Sequence, residues 1–178
     1  MGVALGDGNL SKSSRATRLR ISCDNKYPKL IGKISSALSE LFKDNIVSQY
    51  HRKDNCTDVY VYSNKLENIL GWTATDGSKY MQNVRVPSWV FYNKEFMKNC
   101  LRGLIETDGS VYKDRKYLYV NFTTINHGLS QDVQIIISNL GYSSSTQSSV
   151  QKNGKRIFVT RVCKNSLRFI KEIGIRKE

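Results

Sequence analysis

The sequence predicts a mixed α+β (α/β mixed) protein built as a pseudo-twofold tandem repeat, each half running α-β-β-α-β-β-α. Three observations lead there. A short segment, Leu5-Gly6-Asp7-Gly8-Asn9, recurs as Glu106-Thr107-Asp108-Gly109-Ser110. Each copy is followed by the same succession of alternating and helical apolar patterns. The stretch from aspartate to closing glycine, Asp7 to Gly71 and Asp108 to Gly174, has nearly the same length in both. The repeat divides the chain into Met1–Tyr92 and Asn93–Glu178.

Each element has a local cause. After the first Asp-Gly comes a polar, basic turn and then Thr17–Cys23, where alternation sets Leu19, Ile21 and Cys23 on one face and Arg18, Arg20 and Ser22 on the other. Tyr117–Thr123 is its counterpart. Leu30, Ile34, Leu38 and Leu41 fall at helical spacing, as do Leu129, Val133, Ile136 and Leu140, and are expected to face the core. Two strand pairs follow: Ile46–Arg52 with Asp58–Tyr62, and Ser144–Val150 with Arg156–Cys163. Polar turns join them. Short helices Asn64–Leu70 and Asn165–Ile173 close the halves, each before a glycine suited to a left-handed C-terminal residue.

Charge points to a partner. The 178 residues hold 28 Lys+Arg against 15 Asp+Glu, a formal net charge of +13. Such a balance favours a polyanion, because neutralised phosphates release counterions. The basic residues are threaded through strand patterns rather than gathered in a tail, which predicts a folded binding surface. No apolar run reaches membrane length, and with no secretory leader the expected location is cytoplasmic or organellar. The four cysteines have no paired spacing, so neither a disulfide framework nor a zinc site is expected. Walker, nucleophile-elbow and dinucleotide fingerprints are missing, and two histidines, His51 and His127, give little support to a histidine-based metal nuclease.

The repeated segment carries its own chemistry. Gly2 and Gly6 lie one helical turn apart, as do Gly103 and Thr107, and small residues at that spacing let two helix backbones pack closely. Gly8 and Gly109 then stop the helices, expected in a left-handed conformation. Two such helices side by side would bring Asp7 and Asp108 together. Carboxylates that close repel unless a cation separates them, an arrangement suited to divalent metals in phosphodiester chemistry.

In full, the second copy is Leu101-Arg102-Gly103-Leu104-Ile105-Glu106-Thr107-Asp108-Gly109, and it resembles the LAGLIDADG motif, most loosely at Arg102, Glu106 and Thr107. Met1–Gly8 resembles the same motif without its leading residue. The resemblance implies the LAGLIDADG homing endonuclease fold, with two antiparallel saddle-shaped sheets and adjacent motif helices. It implies a monomer that cuts both strands of double-stranded DNA across the minor groove, at a long asymmetric target, leaving 3′ overhangs. Asp7 and Asp108 would hold the metal with the carbonyls of Gly6 and Thr107. Mg²⁺ is the expected ion, with Mn²⁺ able to substitute and Ca²⁺ supporting binding without cleavage. Basic catalytic positions map to Arg85 and Lys177, while Glu106 would face solvent or cap a strand. The gene would be intron- or intein-encoded.

The solvent-facing side of the strands is the expected DNA surface. A two-stranded ribbon fits the major groove, where Arg, Lys, Gln and Asn read base edges. The candidates are Arg18, Arg20, Gln49, His51, Lys53, Lys116, Tyr119, Asn121, Gln147, Gln151, Arg156 and Arg161. Two other functions would use the same fold: an RNA-splicing maturase and a non-cutting DNA-binding regulator. Retention of both aspartates favours cutting, since a pure binder gains nothing from buried paired carboxylates.

Overall fold

The chain begins with a short helix, α1 (Gly2–Asp7), that passes straight into β1 (Gly8–Lys12) and turns back as β2 (Thr17–Asp24). Helix α2 (Pro28–Leu41), β3 (Val47–His51), β4 (Cys56–Ser63) and α3 (Leu66–Leu70) complete the first half. An irregular segment ends in a 3₁₀ turn at Ser88–Tyr92. The order then repeats as α4 (Lys94–Asp108), β5 (Gly109–Asp114), β6 (Tyr117–Thr124), α5 (His127–Asn139), β7 (Ser144–Val150), β8 (Arg156–Val162) and α6 (Ser166–Ile173). This is a computed structural model, and it describes residues 1–176. The predicted α-β-β-α-β-β-α order is present in both halves.

Two four-stranded antiparallel sheets share one topology, β1-β2-β4-β3 and β5-β6-β8-β7. In β2 every odd position from Thr17 to Cys23 is buried, and the arginines between them are half-buried. On the inner face α2 buries Ile31, Ile34 and Leu38 against β3 and β4. Helix α5 does the same with Leu129, Val133 and Ile136 on β6, β7 and β8. Each such side chain contributes about 1.5–3 kcal/mol when fully buried. Leu41 departs from expectation: it is 72% exposed, and Phe42 is buried instead. Phe42 lies four residues after Leu38, to whose carbonyl its N–H still donates, so it continues the buried stripe of Ile34 and Leu38.

Helix ends follow the expected chemistry at some positions. Asn93 and Asn126 cap α4 and α5, accepting from the backbone N–H of Glu95 and Leu129. Gly71 (φ 83°) and Gly174 (φ 74°) close α3 and α6 in the left-handed region. Gly8 and Gly109 correct the reading. Neither has positive φ; Gly109 is extended (φ −93°, ψ 170°) and opens β5. What requires glycine at 109 is space, since a Cβ there would lie 2.6 Å from the Ile105 carbonyl oxygen. Each glycine opens a short strand, and the polar turn comes after it, before β2 and β6.

The compact units divide the chain differently from the repeat. Asp7–Gly77 forms one; Met1–Gly6 joins residues from Ser78 onward in the other. The first motif helix thus contributes most of its length to the unit that contains the second. Among the described residues, no helix is long and apolar enough to cross a membrane.

The thiols are unpaired, with Cys23 and Cys100 buried and Cys163 exposed. Burial pushes Cys100 up to about 12. Burial, then the nearby Asp7 and Asp58 charges, pushes Cys23 up to about 11. Both raised values mean that the folded chain keeps protons the unfolded chain loses above the ordinary thiol range, so these groups lower stability as alkali rises. In a thiol-labelling time course at pH 8, Cys163 should react first, and Cys23 and Cys100 only after denaturant is added. Prompt labelling of Cys100 would contradict the packing of α4.

Candidate functional site

Helices α1 and α4 touch backbone to backbone. A Cβ on Gly2 would stand 1.9 Å from the Cys100 carbonyl oxygen and 2.9 Å from the Leu104 nitrogen. One on Gly103 would stand 2.6 Å from the Val3 nitrogen, and one on Gly6 2.1 Å from Thr107 Oγ1. No larger residue fits at any of the three without moving a helix. This is the adjacency that the small-residue spacing predicts.

Each aspartate occupies the last position of its helix. The Asp108 carboxylate lies beside Gly6, whose added Cβ would be 3.2 Å from Asp108 Oδ2, and Asp7 is the next residue in the chain. A helix C-terminus carries partial negative charge, so an acid there invites a cation. Neither helix has a basic residue in its last turn. The cation for α1 comes from elsewhere: Lys79 Nζ donates to the carbonyl oxygens of Leu5 (2.6 Å), Ala4 (3.4 Å) and Gly6. Thr107 Oγ1 turns back onto the carbonyls of Gly103 and Leu104, at 2.9 and 3.1 Å.

Among the described residues, no group of three or more His, Cys, Asp or Glu side chains gathers as for a metal. The donors at the end of α4 are the Asp108 carboxylate and backbone carbonyls such as that of Thr107, while the Gly6 carbonyl accepts from Lys79. All are hard oxygen donors. This set fits Mg²⁺, which commonly takes one or two carboxylates and completes its shell with water and phosphate.

The other charged candidates have different surroundings. Arg85 makes a two-point ion pair with Asp132, Nε to Oδ2 at 2.8 Å and Nη2 to Oδ1 at 2.6 Å. The hydrogen bond that Arg85 donates to Asp132, more than the charge of that acid, holds Arg85 above its ordinary value. Asp132 also accepts from the Val86 N–H at 2.8 Å. Arg85 therefore fastens the irregular segment to α5, and the basic group beside the motif is Lys79. Lys177 lies outside the described residues. Glu106, expected at the surface or on a strand, is only 8% exposed and accepts from the Arg176 N–H at 3.0 Å.

Register sorts the strand candidates by face. Arg18 and Arg20 share the outer side of the first sheet, opposite Tyr62 and Tyr60. Gln49 and His51 do not. They pair with Val59 and Thr57 and so point to the α2 side, where they line a groove with Pro28, Ile31 and Gly32. There Thr57 Oγ1 donates to Asn25 Oδ1 (2.7 Å) and meets His51 Nδ1 at 2.8 Å. On the second sheet, Tyr119, Asn121, Gln147 and Arg161 share the outer face. Asn121 is itself buried. Lys53, Lys116 and Gln151 occupy turns, with the Lys116 ammonium 5.5 Å from the Tyr117 ring centre. Arg156 Nη1 donates to Ser148 Oγ at 3.1 Å.

Residues 95–174 match the LAGLIDADG-like domain. Nearly the whole chain (99%) superposes on 93% of I-DmoI, solved in complex with DNA and Mn, with a TM-score of 0.66 at 16% identity. The second half of the chain is a LAGLIDADG-like domain. At that identity the superposition is a likeness of fold, and other members share it. The N-terminal LAGLIDADG domain of DUF199/WhiA superposes with a TM-score of 0.59 at 14% identity, over 99% of this chain and 79% of that one.

Sequence relatives of the chain are large proteins of other kinds. A DNA polymerase of Thermococcus sp. (strain GE8) is 30% identical over 98% of the chain. The ribonucleoside-diphosphate reductase NrdEB subunit alpha of Bacillus subtilis (strain 168) is 27% identical over 88% of it. The chain covers only 10% of the first and 15% of the second.

Lys79 is the site residue that sequence reasoning missed. It belongs to no periodic segment, and only its approach to α1 singles it out.

Proposed function

We propose that the chain is a monomeric, divalent-metal-dependent homing endonuclease that cuts both strands of a long asymmetric DNA target across the minor groove. The observation that carries the reading is the glycine-packed helix pair, with one carboxylate at the end of each helix. Asp7 and Asp108 hold the metal, with the Thr107 carbonyl as a further donor, and the Gly6 carbonyl joins them only if Lys79 releases it. A bound Mg²⁺ would polarise the phosphodiester and lower the pKa of an attacking water. Lys79 places positive charge beside the first acid, where it offsets charge that builds on the phosphate. One acid per helix gives each DNA strand its own carboxylate. The relatives support an inserted module encoded within an intron or intein, since proteins as unlike as a polymerase and a reductase match only over a small part of their length.

The test is incubation with a randomised duplex library in Mg²⁺, Mn²⁺ or Ca²⁺, followed by sequencing of cut ends. Double-strand cuts with 3′ overhangs at one asymmetric sequence are expected in Mg²⁺ and Mn²⁺, and binding without cutting in Ca²⁺. Tight duplex binding with no cutting in any metal would instead indicate a regulator.

Affinity for duplex DNA should fall steeply with salt, with a log–log slope of about −0.9 for each phosphate neutralised. Lys116→Ala should flatten that slope by about one unit if the turn lysine meets a phosphate. A gel-shift series over ionic strength measures both. Salt-insensitive binding, or a strong preference for RNA, would move the reading toward a maturase.

A further inference from the structure

Basic side chains on the outer faces of the two sheets are held in different ways. On the first sheet Arg20 lies 4.0 Å from the carboxylate of Asp58, a largely buried acid. A base edge approaching Arg20 must compete with that negative charge. On the second sheet Arg161 has no carboxylate within ion-pair distance among the described residues. Its guanidinium lies over the Tyr119 ring, 4.9 Å from the ring centre, and its Nε donates to Asn121 Oδ1 at 3.1 Å. The support is itself supported. Asn121 Nδ2 donates to the Tyr112 hydroxyl at 3.3 Å, and the Tyr112 and Tyr119 rings stack at 5.3 Å.

The consequence is geometric. One guanidinium face and the Nε–H are occupied, while the structure gives Nη1 and Nη2 no hydrogen-bond partner among the described residues. Those two nitrogens form a rigid fork on an exposed side chain, already ordered before any ligand arrives. In the major groove, guanine alone presents two adjacent acceptors, O6 and N7, that match such a fork. Adenine pairs its N7 with an amino donor, which would leave one N–H facing another.

Resting on the endonuclease reading above, we infer that Arg161 is a specificity-determining residue that reads one guanine of the target, with Tyr119 and Asn121 as its positioning residues. The second sheet therefore contains a fixed base-reading point, which the first sheet's Arg20 does not match because Asp58 shares its charge.

The experiment selects bound duplexes from a randomised pool in Ca²⁺ and compares wild type, Arg161→Ala and Arg161→Lys. Wild type should enrich a site with guanine fixed at one position. Arg161→Ala should lower the preference for guanine there by about ten- to a hundredfold and leave the other positions unchanged. Arg161→Lys keeps the charge and the salt dependence but loses the fork, so it should lose the guanine preference as well. Uniformly weaker binding by Arg161→Ala, with every base preference intact, would make Arg161 a phosphate contact and overturn the inference. A wild-type chain that neither binds duplex nor enriches any sequence would overturn the endonuclease reading itself, and this inference with it.

Discussion

Replacing Asp108 by asparagine is expected to slow DNA cleavage by at least about a hundred- to a thousandfold while leaving duplex affinity nearly intact. The amide keeps the carboxylate's shape, so packing beside Gly6 is retained. What is lost is the charge, and hard divalent cations favour charged oxygen donors. The strand faces that would meet phosphate lie on the sheets and are untouched. Asp7→Asn should behave alike, and if each acid serves mainly one strand, each variant nicks its own. A plasmid-cleavage assay beside a gel-shift titration separates chemistry from binding. Undiminished double-strand cutting by Asp108→Asn would place the catalytic centre elsewhere.

Gly103→Ala should produce a large loss of stability. The new carbon would stand 2.6 Å from the Val3 nitrogen, with the Gly2 carbonyl carbon at 3.0 Å. Both are backbone atoms, so no side chain can swing aside and a helix must move. Overpacking typically costs about 1–3 kcal/mol, and this rigid case belongs at or above the upper end. Gly32→Ala is the internal control. It sits within α2 with nothing within 4 Å of the added carbon, so alanine's better helix propensity should stabilise by about 0.5–1 kcal/mol. Urea titrations of the two variants should therefore move in opposite directions. Equal and small shifts would mean that α1 does not pack on α4 in solution.

The elements with strong periods were legible in the sequence. Alternation in Thr17–Cys23 and the spacing of Val133 and Ile136 are direct consequences of burying one face, and both appear as read. The glycine spacing that predicted helix adjacency is met at Gly2, Gly6 and Gly103. Weak periods misled. Gly8–Lys12 is polar and short, so nothing local distinguishes a strand from a turn, and only pairing with β2 makes it one. Val47–His51 has no buried position to fix its face, which is why Gln49 and His51 were assigned to the wrong side. The pairing of Arg85 and the approach of Lys79 to α1 were not legible because their partners, Asp132 and the α1 carbonyls, are far away in sequence. Ion pairs and caps of that kind leave no mark on the local pattern.

The division of the chain at Gly6 has a consequence for how the protein is made. The glycine contacts of α1 are with Cys100, Leu104 and Thr107, and Lys79 covers its end. All of these are synthesised later, after the entire Asp7–Gly77 unit. A helix of six residues cannot persist alone in water, because its nucleation cost exceeds what so few hydrogen bonds return. Gly2–Gly6 must therefore wait as unstructured chain while the strands behind it pair, and it becomes a helix only on docking against α4. Closing so long a loop is a slow step. The α1 side of the candidate site is thus ordered only after α4 (Lys94–Asp108) has been made, well after the Asp7–Gly77 unit.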